Sequence, residues 1–223
     1  MSRPRSQTAL YAVLCALLAP GLLPGAAAIR LSVPRESSPL VLSQMRKELQ
    51  RITKPSGVAL DWVADGEARL GRRVSVRLIG RCMAVGGADR ARGPLGWTRV
   101  IDGRILPYVE VDCDRVRTTI APEIERQDPA FREVAMGRAL ARALAHELRH
   151  ALSRTFSHGR DGLTQERLGA RDLLHGSYHL ERSDLESMAE LARREEQEQA
   201  DGSAKDRGAT SETLQDYSID IGR

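Results

Sequence analysis

The sequence predicts an α+β fold in which a small mixed β-sheet packs on helices. Three observations carry that expectation. Residues 58–63 and 74–79 alternate apolar and polar side chains, as half-buried strands do. Asp102-Gly103 separates two further strand-like runs, 97–101 and 104–111, and suits the tight turn of a hairpin. A long helical pattern then opens at Asp128-Pro129 and continues to about Arg154.

Taken in order, residues 29–42, with Pro34 and Pro39, read as irregular. Ser43 opens a short helix with Met45, Leu49 and Ile52 at helical spacing, and Pro55 and Gly57 end it. Val58, Leu60 and Trp62 share one face of the first strand; Val74, Val76 and Leu78 share one face of the second. Residues 84–96 are glycine-rich and read as a loop. Within the hairpin, Pro107 has no N–H to give to a ladder, so its strand belongs at a sheet edge or in a bulge. The long helix starts on an Asp N-cap followed by Pro at its first position, and Leu140, Leu144, Leu148 and Leu152 form one apolar stripe along it. A second helix is expected from Ser183, which would form a capping box with Glu186 and turn Leu185, Met188, Ala189 and Ala192 inward. Residues 195–223 are polar and read as a disordered tail.

The first 28 residues have the anatomy of a secretory signal peptide. Arg3 and Arg5 are followed by an apolar stretch, 10–19, then Pro20, Pro24 and the run Ala26-Ala27-Ala28. The stretch is shorter than the roughly 20 residues a membrane-spanning helix needs. The expected organisation is a signal peptide over 1–28, one domain over 29–194 and the tail over 195–223. The exported chain would carry a net charge of 4 − 2 = +2 and two cysteines, Cys82 and Cys113. An even count in an oxidising compartment predicts a disulfide between them.

Composition excludes several classes. Hydrophobic residues make up 41% and charged residues 29% of 223, which suits a globular chain and argues against a membrane-embedded or disordered one. A charge of +2 is too mild for nucleic-acid binding, and with 4% aromatics there is no stacking surface for single strands. The expected partner is a peptide or protein, with neither nucleic acid nor, after signal cleavage, membrane; oligomeric state stays open.

Within the long helix lies His146-Glu147-Leu148-Arg149-His150, an HExxH motif. Residues four apart share a helix face, so both imidazoles can hold one ion. At 100° per residue they average about 200° from the leucine stripe, which sends one face to the core and the other to a cleft. A catalytic zinc takes a third protein ligand and keeps one position open. His158, eight residues after His150 and followed by Gly159 and Asp161-Gly162, is the leading candidate. Glu181, Glu186 and Glu190 are the alternatives if a later helix completes the site. His175 and His179 form another i, i+4 pair, but Gly176 between them argues for solvent-exposed side chains rather than a second site.

The segment HELRHALSRTFSHGRDGL resembles the zinc segment of the zincin metallopeptidases, close to the metzincin branch. The metzincin pattern is HExxHxxGxxH with a Met-containing turn downstream; here Ser153 stands at the glycine and the third His comes two residues later. The spacing resembles that of small secreted bacterial zincin-like proteins, in which a His eight residues after HExxH is followed by a Gly-hydrophobic-Met turn; Gly162-Leu163 matches it and Thr164 stands where Met would be. The resemblance, specific over 137–174, implies a zincin fold with an edge strand lining a substrate cleft, for which 104–111 is the candidate. It implies a secreted zinc-dependent peptidase in which His146, His150 and His158 hold Zn²⁺. Glu147 would be the general base that takes a proton from the attacking water and passes it to the leaving amine, and an extended peptide would add to the edge strand. Tyr178 is a candidate for stabilising the oxyanion, with packing as its other role. The alternatives are a catalytically inactive relative and a secreted peptide-binding protein.

Overall fold

The computed structural model describes residues 27–56, 60–63, 72–86 and 93–176, and beyond them 178, 180, 182–184, 186–188, 190, 194, 197, 198 and 201. Its elements are β1 (Ala27–Ser32), α1 (Pro39–Thr53), β2 (Leu60–Val63), β3 (Arg72–Ile79), β4 (Gly96–Ile101), β5 (Arg104–Asp112), α2 (Cys113–Ile124), α3 (Pro129–Ser153) and α4 (Ala170–Leu174). The strands form one mixed sheet in the order β2-β1-β3-β5-β4, parallel except for the β4–β5 hairpin. This is the α+β arrangement of a small mixed sheet on helices.

Two expectations for the N-terminal part are corrected. The stretch read as irregular contains β1, which pairs with β2 on one side and β3 on the other. Its first residues, Ala27 and Ala28, precede the expected mature start at Ile29; residues 1–26 of the expected signal peptide lie outside the described residues. The first helix starts earlier than Ser43: the Ser38 hydroxyl accepts from Val41 N, and Pro39 occupies the first turn. Its face of Val41, Met45, Leu49 and Ile52 is buried. The strand expected over 58–63 is described from Leu60 onward.

The hairpin stands as expected, with the αL conformations at Asp102 and Gly103 that a tight turn requires. The edge is not where it was expected. β5 lies inside the sheet, between β3 and β4, and β4 is the edge strand. Pro107 is accommodated by a bulge: the register sum is 98 + 109 = 207 before it and 100 + 105 = 205 after it, so β5 carries two extra residues there. Pairing of β5 with β3 begins only at Tyr108.

Helix α2 was not expected. Its β-branched Val116, Thr118, Thr119 and Ile120 and its internal Pro122 all weaken helix propensity. Asp112 nevertheless caps it, accepting from Asp114 N at 3.0 Å and Arg115 N at 3.1 Å. Cys113 at its start is bonded to Cys82, as the cysteine count predicted; both are fully buried. The bridge ties the strand-to-loop corner after β3 to the start of α2.

Helix α3 obeys its cap, with Asp128 Oδ1 accepting from Phe131 N at 2.9 Å, and ends at Ser153 with Arg154 in the αL conformation. It is more buried than its stripe implied. Every residue from Ala139 to Leu152 is buried, because α1, α2, α4 and strands β4 and β5 surround it. Its alanines let neighbours approach from several sides, and Gly137 lets α1 lie against it: a Cβ there would stand 2.6 Å from the Val41 carbonyl oxygen. The buried Arg142 anchors the later chain, donating to the carbonyls of Asp172, His175 and Gly176 at 2.6–2.9 Å.

Beyond α4, Arg182, Ser183 and Asp184 are all helical, so Ser183 lies within a helix rather than at its N-cap. Met188 is buried as expected, while Leu185, Ala189 and Ala192 lie outside the described residues. In the segment read as a disordered tail, Gln197, Glu198 and Asp201 are helical and exposed, and 202–223 lie outside the described residues. No helix among the described residues is long and apolar enough to cross a membrane.

Candidate metal centre

The buried face of α3 that looks away from the leucine stripe carries His146 and His150, each 8% exposed. Each ring is fixed at Nδ1 by a main-chain carbonyl, Leu163 for His146 and Thr155 for His150, both at 2.6 Å. A carbonyl only accepts, so Nδ1 carries the proton in each ring. Each neutral ring therefore turns the lone pair of Nε2 to the other, and the two Nε2 atoms stand 3.2 Å apart. Two acceptors that close repel unless a proton or a cation lies between them. Burial pushes His146 down to about 4 and lowers His150 as well, which disfavours the proton at neutral pH.

His158 comes to the same point from the loop after the helix. Its ring stacks on His146 with centroids 5.3 Å apart and meets His150 edge-on at 4.8 Å. One ligand atom from each of the three rings lies within 4.8 Å of the others. Two nitrogens about 2.05 Å from a tetrahedral zinc stand about 3.3 Å apart, so the 3.2 Å Nε2 pair fits that ion. The carbonyls on Nδ1 are the outer partners that zinc-bound histidines usually have.

The three histidines are the group that gathers among the described residues. Glu186 is exposed on the later helix, Glu190 pairs with Arg194 at 2.8 Å, and Glu181 lies outside the described residues. His175 is exposed, and His179 lies outside the described residues. The Tyr178 hydroxyl is engaged by Asp172 at 3.0 Å while its ring lies against Arg142, so packing is its role. Thr164 is 1% exposed and anchors the turn: its hydroxyl donates to the Asp161 carbonyl at 2.7 Å, and its own carbonyl accepts from Gly159 N. Ser153 ends the helix.

Glu147 points to the edge strand. The Thr98 hydroxyl lies 2.8 Å from Glu147 Oε2 and 3.0 Å from the Glu147 carbonyl oxygen and donates to this pair. Burial raises the Glu147 carboxyl to about 7, while Thr98 pulls the other way. Gly96 makes this approach possible, because a Cβ there would lie 3.0 Å from Glu147 Cγ and 2.7 Å from the Glu110 carbonyl oxygen. Gly96 and Thr98 were not recognised from the sequence. Both are ordinary hairpin residues until the register sets them over the helix.

Beside Glu147 and His146 opens a cleft of about 420 Å³, with Leu95, Thr119, Ala143 and Leu168 among its lining residues. Gly96, the first residue of β4, lines the same cleft. On the opposite face of the sheet, Glu110 is buried and accepts from Trp97 Nε1 at 2.7 Å and from the Tyr108 hydroxyl at 3.1 Å, which stiffens the hairpin from behind.

No protein-family model matches the chain, and no curated protein matches it in sequence. Among solved structures it is similar to archaemetzincin from Methanopyrus kandleri, with 12% identity and a TM-score of 0.49, over 79% of this chain and 99% of that one. It is also similar to a zinc-dependent peptidase from Methanocorpusculum labreanum, with 8% identity and a TM-score of 0.44, over 74% and 100% of the two chains. Likenesses this distant say nothing about activity, so the chemistry of this chain has to come from its own site.

Proposed function

We propose that this chain is a zinc-dependent peptidase that works outside the cytoplasm on extended peptide segments. The observation that carries the reading is the pair of Nε2 lone pairs 3.2 Å apart, with His158 closing the third side. His146, His150 and His158 would hold the ion through neutral imidazoles. When bound, zinc supplies Lewis acidity toward a carbonyl and lowers the pKa of water. Glu147 lies one residue from the first ligand and is the carboxylate placed to take a proton and hand it to a leaving amine. Thr98 holds that carboxylate in place. The outer edge of β4, which no described strand pairs, supports main-chain pairing with an extended peptide, and the neighbouring cleft would receive a side chain. The buried Cys82–Cys113 bridge supports export to an oxidising compartment.

The test is metal analysis of the purified chain followed by digestion of an unfolded protein. One zinc per chain is expected, retained by Glu147→Gln, with cleavage reduced about 10²–10⁴-fold in that variant. A chain that holds one zinc yet cuts nothing across a broad panel of unfolded substrates would be a metal-binding relative without hydrolysis. A chain that takes up no zinc would overturn the reading altogether.

A further inference from the structure

We infer that Arg149, locked by Asp184, is the positioning residue that holds His158 at the metal centre; the inference rests on His158 being the third ligand. His146 and His150 are each held twice, by the helix and by a carbonyl at Nδ1. His158 has neither support. It is exposed, it lies in the irregular stretch between Arg154 and Asp161, and among the described residues neither of its ring nitrogens has a hydrogen-bond partner. Its place is set through its main chain.

That main chain is held on both sides. Immediately after His158, Gly159 N donates to the Thr164 carbonyl at 2.8 Å. Immediately before it, the Ser157 carbonyl accepts from Arg149 Nη1 at 2.7 Å. Arg149 is 5% exposed, and its Nε donates to Asp184 Oδ1 at 2.7 Å. Asp184, itself 6% exposed, belongs to the later helical segment. One planar guanidinium therefore joins α3, the His158 loop and that segment, and Asp184 sets the direction in which the fork points. A lysine has no fork and cannot reproduce two fixed directions at once. Asp184 also offsets the positive charge of Arg149, which would otherwise face a site built for a cation. Asp184 and His158 line the same hydroxyl-rich pocket, so the pair stands beside the ligand it positions.

The experiment titrates the full-length metal-free protein with cobalt(II), reading affinity and the visible bands that a tetrahedral site gives. Arg149→Met should weaken cobalt binding about 10–100-fold, the range for losing an outer partner of a ligand, and should dim the visible bands. Arg149→Lys should not restore either. Asp184→Asn, nearly isosteric, should give the lower end of the same loss, and it is the variant to read if circular dichroism shows Arg149→Met unfolded. In a His158→Ala background, Arg149→Met should cost no further affinity, because a residue acting through His158 has nothing left to position. Wild-type affinity and bands in Arg149→Met and Asp184→Asn, with His158→Ala impaired, would overturn the inference and leave the three-histidine site standing. An equal further loss in the His158→Ala background would overturn it too, by making Arg149 a support of the fold. If His158→Ala itself binds cobalt normally, the ligand assignment falls and the inference falls with it.

Discussion

Replacing Gly137 with Ala sets two effects of opposite sign against each other. In an isolated helix the change would stabilise by about 1 kcal/mol, because glycine is a poor helix former. Here the new Cβ would lie 2.6 Å from the Val41 carbonyl oxygen, 2.6 Å from Gln44 Cβ and 3.0 Å from Met45 N. Two of those atoms are backbone, so no side-chain rotation relieves the contact and α1 must move away from α3. Restoring ordinary contact takes roughly 0.5–1 Å, a gap that forfeits a quarter to a half of each dispersion contact it opens. The contacts at stake are those of Val41, Met45, Leu49 and Ile52, none more than 1% exposed. Overpacking costs about 1–3 kcal/mol, and contacts this short against atoms that cannot rotate away belong at the upper end of that range, about 2–3 kcal/mol. Set against the propensity gain, the net loss is about 1–2 kcal/mol, or roughly 2–8 °C in Tm for a domain of this size. Thermal unfolding and urea midpoints at constant m-value measure it, and Gly137→Val should be worse. A Gly137→Ala variant as stable as wild type, or more stable, would show that the helices do not meet at this residue.

Other changes test other parts of the molecule. Removing the disulfide with Cys82→Ala and Cys113→Ala releases a loop with a sequence separation of 31, which the chain-entropy model values at about 4 kcal/mol; a urea-measured loss below about 1 kcal/mol would contradict it. Burial pulls the Glu48 carboxyl upward, but Arg51 and Arg142 outweigh it and hold the group below its ordinary 4.5. The extra stability is therefore fully present above that value and is lost as pH falls through the lowered one. The stability gap between wild type and Glu48→Gln should be constant near neutrality and shrink only in acid, and a gap that widens in acid would reverse the assignment. Thr98→Val deletes the hydroxyl that donates to Glu147, a bond to a charged group worth about 1.5–3 kcal/mol. Hydrolysis should fall about 10–150-fold with zinc retained, and Thr98→Ser should restore it; full activity in the valine variant would remove Thr98 from the site.

The parts of this molecule legible in its sequence are those governed by neighbours along the chain. The Asp128-Pro129 start and the period of the leucines specify α3, and the helix repeat then sets His146 and His150 on one face. Asp102-Gly103 specifies the hairpin through the backbone angles its turn needs. Cys82 and Cys113 were a pair by count alone. The spacing of His158 from the helix points to it as the third histidine, and its ring does meet the other two.

What the sequence left open are pairings between distant segments, where local preference is weak or contrary. β1 is a short strand that opens on two alanines, and only its two parallel neighbours make it an inner strand of the sheet. α2 forms against the propensities of Val116, Thr118, Thr119 and Pro122 because its cap and the burial of Cys113, Val116 and Ile120 outweigh them. β4 rather than β5 became the edge because β5 was taken up by β3, a choice made by sheet order and not by any residue in the hairpin. Thr98 and Gly96 gained their places at Glu147, and Arg149 gained its hold on Ser157, only through contacts 49, 51 and 8 residues apart in the chain. Periodicity and caps act within a few residues and can be read one segment at a time; the Thr98 and Gly96 contacts exist only once the sheet has been laid on the helix, and the Arg149 contact only once the later segment has brought Asp184 to it.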